Sequence, residues 1–281
     1  MKRTVYRHGV ENVRYKYYQG ELVEIMICSR SIFNSEGAQT GAKRGGRVGG
    51  KGKQKKDNSE AQSATCGALS EAEEEDNTES IDRAQRRARK AVYDLCGCNP
   101  DLDLFCTFTL DAQKICRYDY SVVYKKLRVW LDNRVRRDGL KYVLVAEHHK
   151  DGAIHFHALC NSGALHLVDS NRTDSGGHTI YNLPDWKYGF STAIKCYGKS
   201  RAGVCGYITK YITKSEEKVG GRWYYHGGKL SVPEYDYKSI DFDTFQVKQS
   251  PPGFDGFDFQ PEGFGAEFKI FRKVEFGRNG N

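Results

Sequence analysis

Long apolar runs are what this 281-residue chain most conspicuously lacks. A helix needs about 20 consecutive apolar residues to cross a bilayer, and no such run occurs, so no membrane partner is expected. The opening residues Met1-Lys2-Arg3-Thr4 lead into no apolar signal core, which points to a cytoplasmic protein. Cysteine spacing excludes as much. Nine cysteines are an odd count and no two are spaced as CxxC, which argues against both a zinc ribbon and a disulfide framework and favours reduced thiols. A nucleotide-binding loop is missing too. Residues 45–52, GGRVGGKG, have the GxxxxGK spacing, but Gly52 stands where the metal-binding Ser or Thr belongs and no strand or helix pattern flanks it. A fused helicase is thereby set aside.

What is present is a moderate excess of positive charge, +8, which leaves room for a polyanionic partner without demanding one. Composition divides the chain. Residues 1–33 carry short apolar and aromatic patches that predict a strand-like extension. Residues 34–78 turn to Gly, Ser, Lys and Arg and then to the acidic run Glu71-Ala72-Glu73-Glu74-Glu75-Asp76; too few apolar residues remain to offset chain entropy, so a disordered insert is expected. Its basic half, residues 43–56, reads as a solvated linker or as a DNA-clinging arm. Residues 79–230 hold the patterned domain, and residues 231–281 form a C-terminal extension to which no chemistry is assigned.

Within the patterned domain, residues 79–95 predict a helix with Ile81, Ala84, Ala88, Val92 and Leu95 toward a core. Its basic face offers Arg83, Arg86, Arg87 and Lys90 as DNA phosphate contacts, with a solvated face as the alternative. Alternation predicts a strand over residues 102–110, and an apolar stripe through Tyr120, Val123, Tyr124, Leu127, Val129, Trp130 and Leu131 predicts a helix over 118–137. Residues 143–159, VLVAEHHKDGAIHFHAL, read as a hairpin turning at Asp151-Gly152. Side chains alternate across a strand, so His155 and His157 share a face and Phe156 points away; in register, Glu147 lies near them. Two imidazoles and a carboxylate on one face suit a divalent cation with open coordination positions. A one-residue slip would bring His148 or His149 in instead of Glu147. Residues 161–203 read as a loop with one strand near 186–194, and the aromatics at 220–228 as a packed hairpin or a base-stacking platform.

Residues 206–214, GYITKYITK, repeat Tyr-Ile-Thr-Lys in tandem. At about 100° per residue on a helix, Tyr207, Lys210, Tyr211 and Lys214 fall on one stripe, with the isoleucines elsewhere. A phenolate stabilised by metal or positive charge is a competent nucleophile, and a neighbouring lysine grips phosphate. The bland alternative is an amphipathic helix with half-buried tyrosines and solvated lysines.

His155-Phe156-His157 resembles the His-hydrophobe-His motif of HUH endonucleases, and Tyr207-x-x-x-Tyr211 resembles the paired tyrosines of their rolling-circle replication initiators. The YxxKYxxK form is most similar to initiators of microviruses, including the gokushovirus type. Phe105-Cys106-Thr107-Phe108-Thr109-Leu110 is similar to a third motif, a strand ending in threonines, and the three stand in the family's order. The resemblance spans roughly residues 104–214. It implies an α+β, ferredoxin-like (RRM-like) antiparallel sheet sandwich with helices on one side, for which the strand-helix-strand-strand order already argues. It also implies Mg²⁺ or Mn²⁺ as cofactor, single-stranded DNA at a replication origin as partner, and the cytoplasm of a bacterial host as setting. A host replication helicase is compatible with it as a further partner.

The chemistry implied is nicking by Tyr207 or Tyr211 to leave a 5'-phosphotyrosine and a free 3'-hydroxyl, with rejoining by the second tyrosine. A relaxase or single-strand transposase would share that chemistry. A non-catalytic single-strand binder would use the tyrosines for stacking, and a metal-dependent hydrolase would use water as its nucleophile.

Overall fold

The computed structural model describes residues 11–33, 71–214, 218–241, 250–261 and 264–276, with residues 71–79 as backbone only. The fold is α+β, with two antiparallel sheets and three α-helices among the described residues. The larger sheet has seven strands in the order β6-β7-β8-β3-β5-β4-β9. Its centre follows the predicted run: β3 (Leu104–Phe108), helix α2 (Tyr120–Asp138), β4 (Tyr142–His148) and β5 (Ile154–Cys160).

Local chemistry fixes these elements. Helix α2 starts where the Asp119 side chain accepts hydrogen bonds from the backbone N–H of Ser121 at 2.8 Å and Val122 at 3.3 Å, satisfying donors that the first turn leaves open. It buries Val123, Leu127, Trp130 and Leu131, while Val129, expected on that stripe, faces solvent. The β4–β5 turn closes through His149, whose N–H reaches the Ala153 carbonyl at 2.8 Å. Gly152 adopts a φ of +81°, a backbone state that a side chain would strain, so glycine is required there.

Both faces of the sheet are covered, which corrects the expectation of helices on one side. Leu144, Ala146, Phe156, Ala158 and Phe108 pack under α2. On the other face Val143, Val145 and Leu159 pack under α1 (Glu71–Cys98) and α3 (Arg201–Lys214), through Ala88, Val92, Val204, Cys205, Ile208 and Ile212. Strand β4 is apolar on both faces, so each face needs its own layer.

Three further departures have plain causes. Helix α1 begins at Glu71, inside the stretch expected to be an insert, because Glu and Ala are strong helix formers despite their polarity; residues 34–70, with the basic run and Cys66, lie outside the described residues. Ile81 is exposed on that helix. The region read as a loop contains a hairpin, β6 (Val168–Thr173) and β7 (Thr179–Asn182), whose strands, the first exposed and the second half-buried throughout, leave no alternation to detect, before β8 (Ser191–Lys195). Strand β9 (Tyr225–Gly227) pairs with β4.

The two terminal extensions fold together. β1 (Val13–Tyr18), β2 (Glu21–Cys28), β10 (Glu234–Lys238), β11 (Phe254–Phe259) and β12 (Phe268–Lys273) form a five-stranded sheet in the order β10-β1-β2-β12-β11. A buried ionic cluster fixes it to α1: Lys16 Nζ lies 2.8 Å from Asp94 Oδ1, and the Tyr18 hydroxyl donates to the same oxygen at 2.7 Å. The eight described cysteines form no disulfide, and no described helix is long and apolar enough to cross a membrane.

Removing one partner of a buried ion pair leaves the other charge desolvated. Asp94→Ala is expected to cost about 3 kcal/mol, read as a lower urea midpoint at unchanged slope. A midpoint equal to wild type would show that Lys16 is satisfied by Glu24, 3.8 Å away.

Candidate active site

The β4–β5 register sets Glu147 opposite His155, and Val145 opposite His157. Side chains of Glu147, His155 and His157 therefore share the sheet face that α3 covers. His157 is almost fully enclosed. Its Nε2 lies 2.9 Å from Glu147 Oε1, and its Nδ1 3.3 Å from Thr107 Oγ1 on β3. Nε2 can donate to the carboxylate, and Nδ1 meets the threonine hydroxyl, which is able to donate or accept. Burial works against ionisation of Glu147, but the hydrogen bond from His157 and the nearby charges of His157, Lys214 and His155 outweigh it and hold the carboxyl below its ordinary range.

His155 stands at the more open end. Burial, then the neighbouring His149 and His157, push its pKa below the ordinary imidazole value. The His149 ring stacks on it with centroids 4.9 Å apart, while His149 Nδ1 lies 3.2 Å from Asp151. His148 is turned to the Gly152 carbonyl at 3.1 Å.

Helix α3 lays its polar stripe along this face. Ile208 and Ile212 are buried beneath it, and Tyr207 and Tyr211 stand above the strands. The Tyr211 ring stacks on His157 with centroids 3.7 Å apart and planes 18° off parallel. Its hydroxyl donates to the Tyr207 hydroxyl at 3.2 Å. Burial, followed by that contact, raises the pKa of Tyr211. Tyr207 is the outer of the two, 41 % exposed. Lys210 Nζ sits 5.5 Å from the Tyr207 ring centre and Lys214 Nζ 5.1 Å from that of Tyr211.

Two participants, Lys199 and Arg201, go unread in the sequence, and a third, Phe105, stands in the strand motif without an assigned role. Phe105 is the hub: its ring lies 4.9 Å from that of Tyr207, and 5.9 Å from those of Tyr211 and His157. The odd-numbered phase of β3 and β5 could have shown that Phe105, Thr107 and His157 share a face. Lys199, 5.6 Å from the Tyr207 ring, comes from the preceding loop and carries no signal. Arg201, at the start of α3, donates to the carbonyls of Leu102, Cys96 and Asn99, fastening the helix to the end of α1.

The basic residues of α1 stand apart from this cluster. Arg83, Arg86 and Arg87 are exposed on the helix, whereas Lys90 turns toward Glu24 of the second sheet at 4.0 Å.

Among the described residues, no three His, Cys, Asp or Glu side chains converge at metal-ligating distance. The donor set still suits a divalent cation by its chemistry: two imidazoles and a carboxylate on one face, with Glu147 and His157 already in contact. Ligation would require Nε2 of His157 to exchange its hydrogen bond to Glu147 for the metal.

Two electrostatic outcomes follow. His155 should titrate below the ordinary histidine range in proton NMR, and Glu147→Gln should depress it further, because the carboxylate acts to raise it. Glu147 itself, held low in the folded state, contributes stability that is complete above the ordinary carboxylate range and is lost as pH falls through its folded value. An unchanged His155 titration in the variant would mean that the two side chains do not interact in solution.

No curated protein and no solved structure matches the chain. Residues 103–216, less than half of its length, run from β3 through α3 and include Phe105, Thr107, Glu147, both strand histidines and both tyrosines; they match a family of replication-associated proteins, the one that carries the label ORF2.

Proposed function

We propose that this protein is a replication initiator endonuclease that nicks single-stranded DNA at an origin through a covalent 5'-phosphotyrosine and rejoins strands in rolling-circle replication of a phage or plasmid. The observation that carries the reading is the juxtaposition of two phenols, their hydroxyls 3.2 Å apart, with the histidine and glutamate face of β4 and β5. The match to a replication-associated family over that same stretch supports it.

In this reading the nucleophile is Tyr207 or Tyr211. Its oxygen attacks the scissile phosphorus in line, the bond from phosphorus to the 3'-oxygen breaks, and the phenolic proton passes through solvent to that oxygen, leaving a 3'-hydroxyl that can prime synthesis. The phosphodiester energy stays in the tyrosyl phosphate, so rejoining needs no ATP. The other tyrosine can cleave the regenerated origin while the first strand remains attached, and return of the strand end yields a closed circle. Lys210 and Lys214 neutralise the phosphate or the phenolate. His155, His157 and Glu147 would hold Mg²⁺ or Mn²⁺. Such a cation would polarise the phosphate and offset charge that develops in the transition state. Arg83, Arg86 and Arg87 offer phosphate contacts along the DNA; Lys90, facing Glu24, is the least suited of the four proposed from sequence.

The centre of the large sheet supports a ferredoxin-like reading, since β5 inserts between β3 and β4 and β8 flanks β3 on its other side. It departs from that pattern after β5, where the β6–β7 hairpin takes the place of a second helix and α3 follows β8.

The test is incubation with labelled circular single-stranded DNA and Mn²⁺, followed by a denaturing gel. A protein–DNA adduct that needs metal, survives denaturation and disappears in the Tyr207→Phe/Tyr211→Phe double variant is the expected result, with a loss on the order of a hundredfold or more in His157→Ala. Cleavage without an adduct would favour a water-using hydrolase. Binding without cleavage, on origin-bearing DNA, would favour a non-catalytic single-strand binder.

A further inference from the structure

The sheet face that carries the strand histidines continues past His155. Pairing of β3 with β8 sets Thr107 opposite Thr192 and Phe108 opposite Ser191, so the next step brings Thr109 opposite Phe190. The backbone agrees, since the Thr109 N–H reaches the Phe190 carbonyl at 2.9 Å. On the other side Phe108 pairs with Phe156, and the next step there sets Thr109 beside His155. Side chains alternate along a strand, so Phe190 shares the face of Thr192, Thr107 and His157, while Ser191, on the opposite phase, is buried toward Leu183. Glu147, His155, Thr109 and Phe190 thus make one row across β4, β5, β3 and β8. Two strand spacings of about 4.8 Å put Phe190 roughly 10 Å from His155.

The Phe190 ring is 56 % exposed, yet the backbone that carries it is firmly held. Its carbonyl also accepts from Thr109 Oγ1 at 2.8 Å, and the Asp111 N–H reaches the Tyr188 carbonyl at 2.9 Å. Gly189 permits this close approach, because a Cβ there would collide with the Thr109 carbonyl oxygen. Single exposed aromatics are ordinary on protein surfaces. This one is fixed in the same row as the outer histidine of the site.

We infer that Phe190 stacks on an unpaired base next to the scissile phosphate and so positions the strand over the histidines. The phenols stand over Phe105 and His157, two rows and one row back, and the Phe190 ring extends the floor beneath a strand past them. An unpaired base offers a π-face to the ring, whereas duplex bases are already stacked on one another. The role is substrate positioning. It rests on the nicking reading for the identity of the phosphate, not for the stacking itself.

Fluorescence anisotropy of the full-length protein with an oligothymidylate and with a duplex of equal length tests it. Phe190→Ala and Phe190→Leu should each weaken oligothymidylate binding about tenfold and leave duplex binding unchanged, while Phe190→Trp should retain affinity. Wild-type affinity in Phe190→Ala with an unchanged thermal melt, an equal loss on the duplex, or full rescue by leucine would overturn the stacking role. The adduct assay separates the two proposals. Adduct formation by the wild type with normal Phe190→Ala binding removes the stacking role alone, and a Phe190-dependent affinity without any wild-type adduct removes the nicking reading alone.

Discussion

Glu147 stands opposite His155 because β4 and β5 pair in one register, and the rest of the site depends on that pairing. The hairpin is buried on both faces, so a slip by one residue would drive Leu144 and Phe156 toward α3 and the histidines into the apolar layer under α2. Desolvating two imidazoles among leucines and a tryptophan is costly, whereas the observed register gives His157 a partner for each nitrogen. Hydrophobic burial thus fixes the placement of the polar groups. The site needs no independent force to assemble its strand half.

The helix half is positioned by the same layer. Ile208 and Ile212 sink between α1 and the sheet, and their spacing leaves the phenols no direction but over Phe105 and His157. Stacking of Tyr211 on His157 places a polarisable ring where the carboxylate and imidazoles meet, and removes that phenol from bulk water. Tyr207 stays at the rim. Two groups of the same type therefore occupy different environments four residues apart, which is the circumstance that separates roles in paired catalytic groups.

Much of this was legible in the sequence because it rests on periods. The alternation of 154–160 put both histidines on one face, and the tandem repeat put the tyrosines and lysines on one stripe; both are properties of backbone geometry that tertiary packing did not disturb. The unread parts have no period to reveal them. The β6–β7 hairpin alternates in neither strand, β6 being exposed and β7 half-buried throughout, α1 is polar through its first turns, and the second sheet joins strands more than two hundred residues apart. Phe105 escapes for a different reason: a phenylalanine on a strand signals core, and only the assembled face shows that it floors the paired phenols.

The fastening of Arg201 to the carbonyls at the end of α1 gives α3 a fixed end and a remote one. Tyr207 lies about 9 Å along the axis from that anchor and Tyr211 about 15 Å, at 1.5 Å per residue. The helix is then a lever. A small tilt about its anchored end displaces the inner phenol more than half as far again as the outer one, so a slight rotation widens the space between Tyr211 and His157 more than it shifts Tyr207.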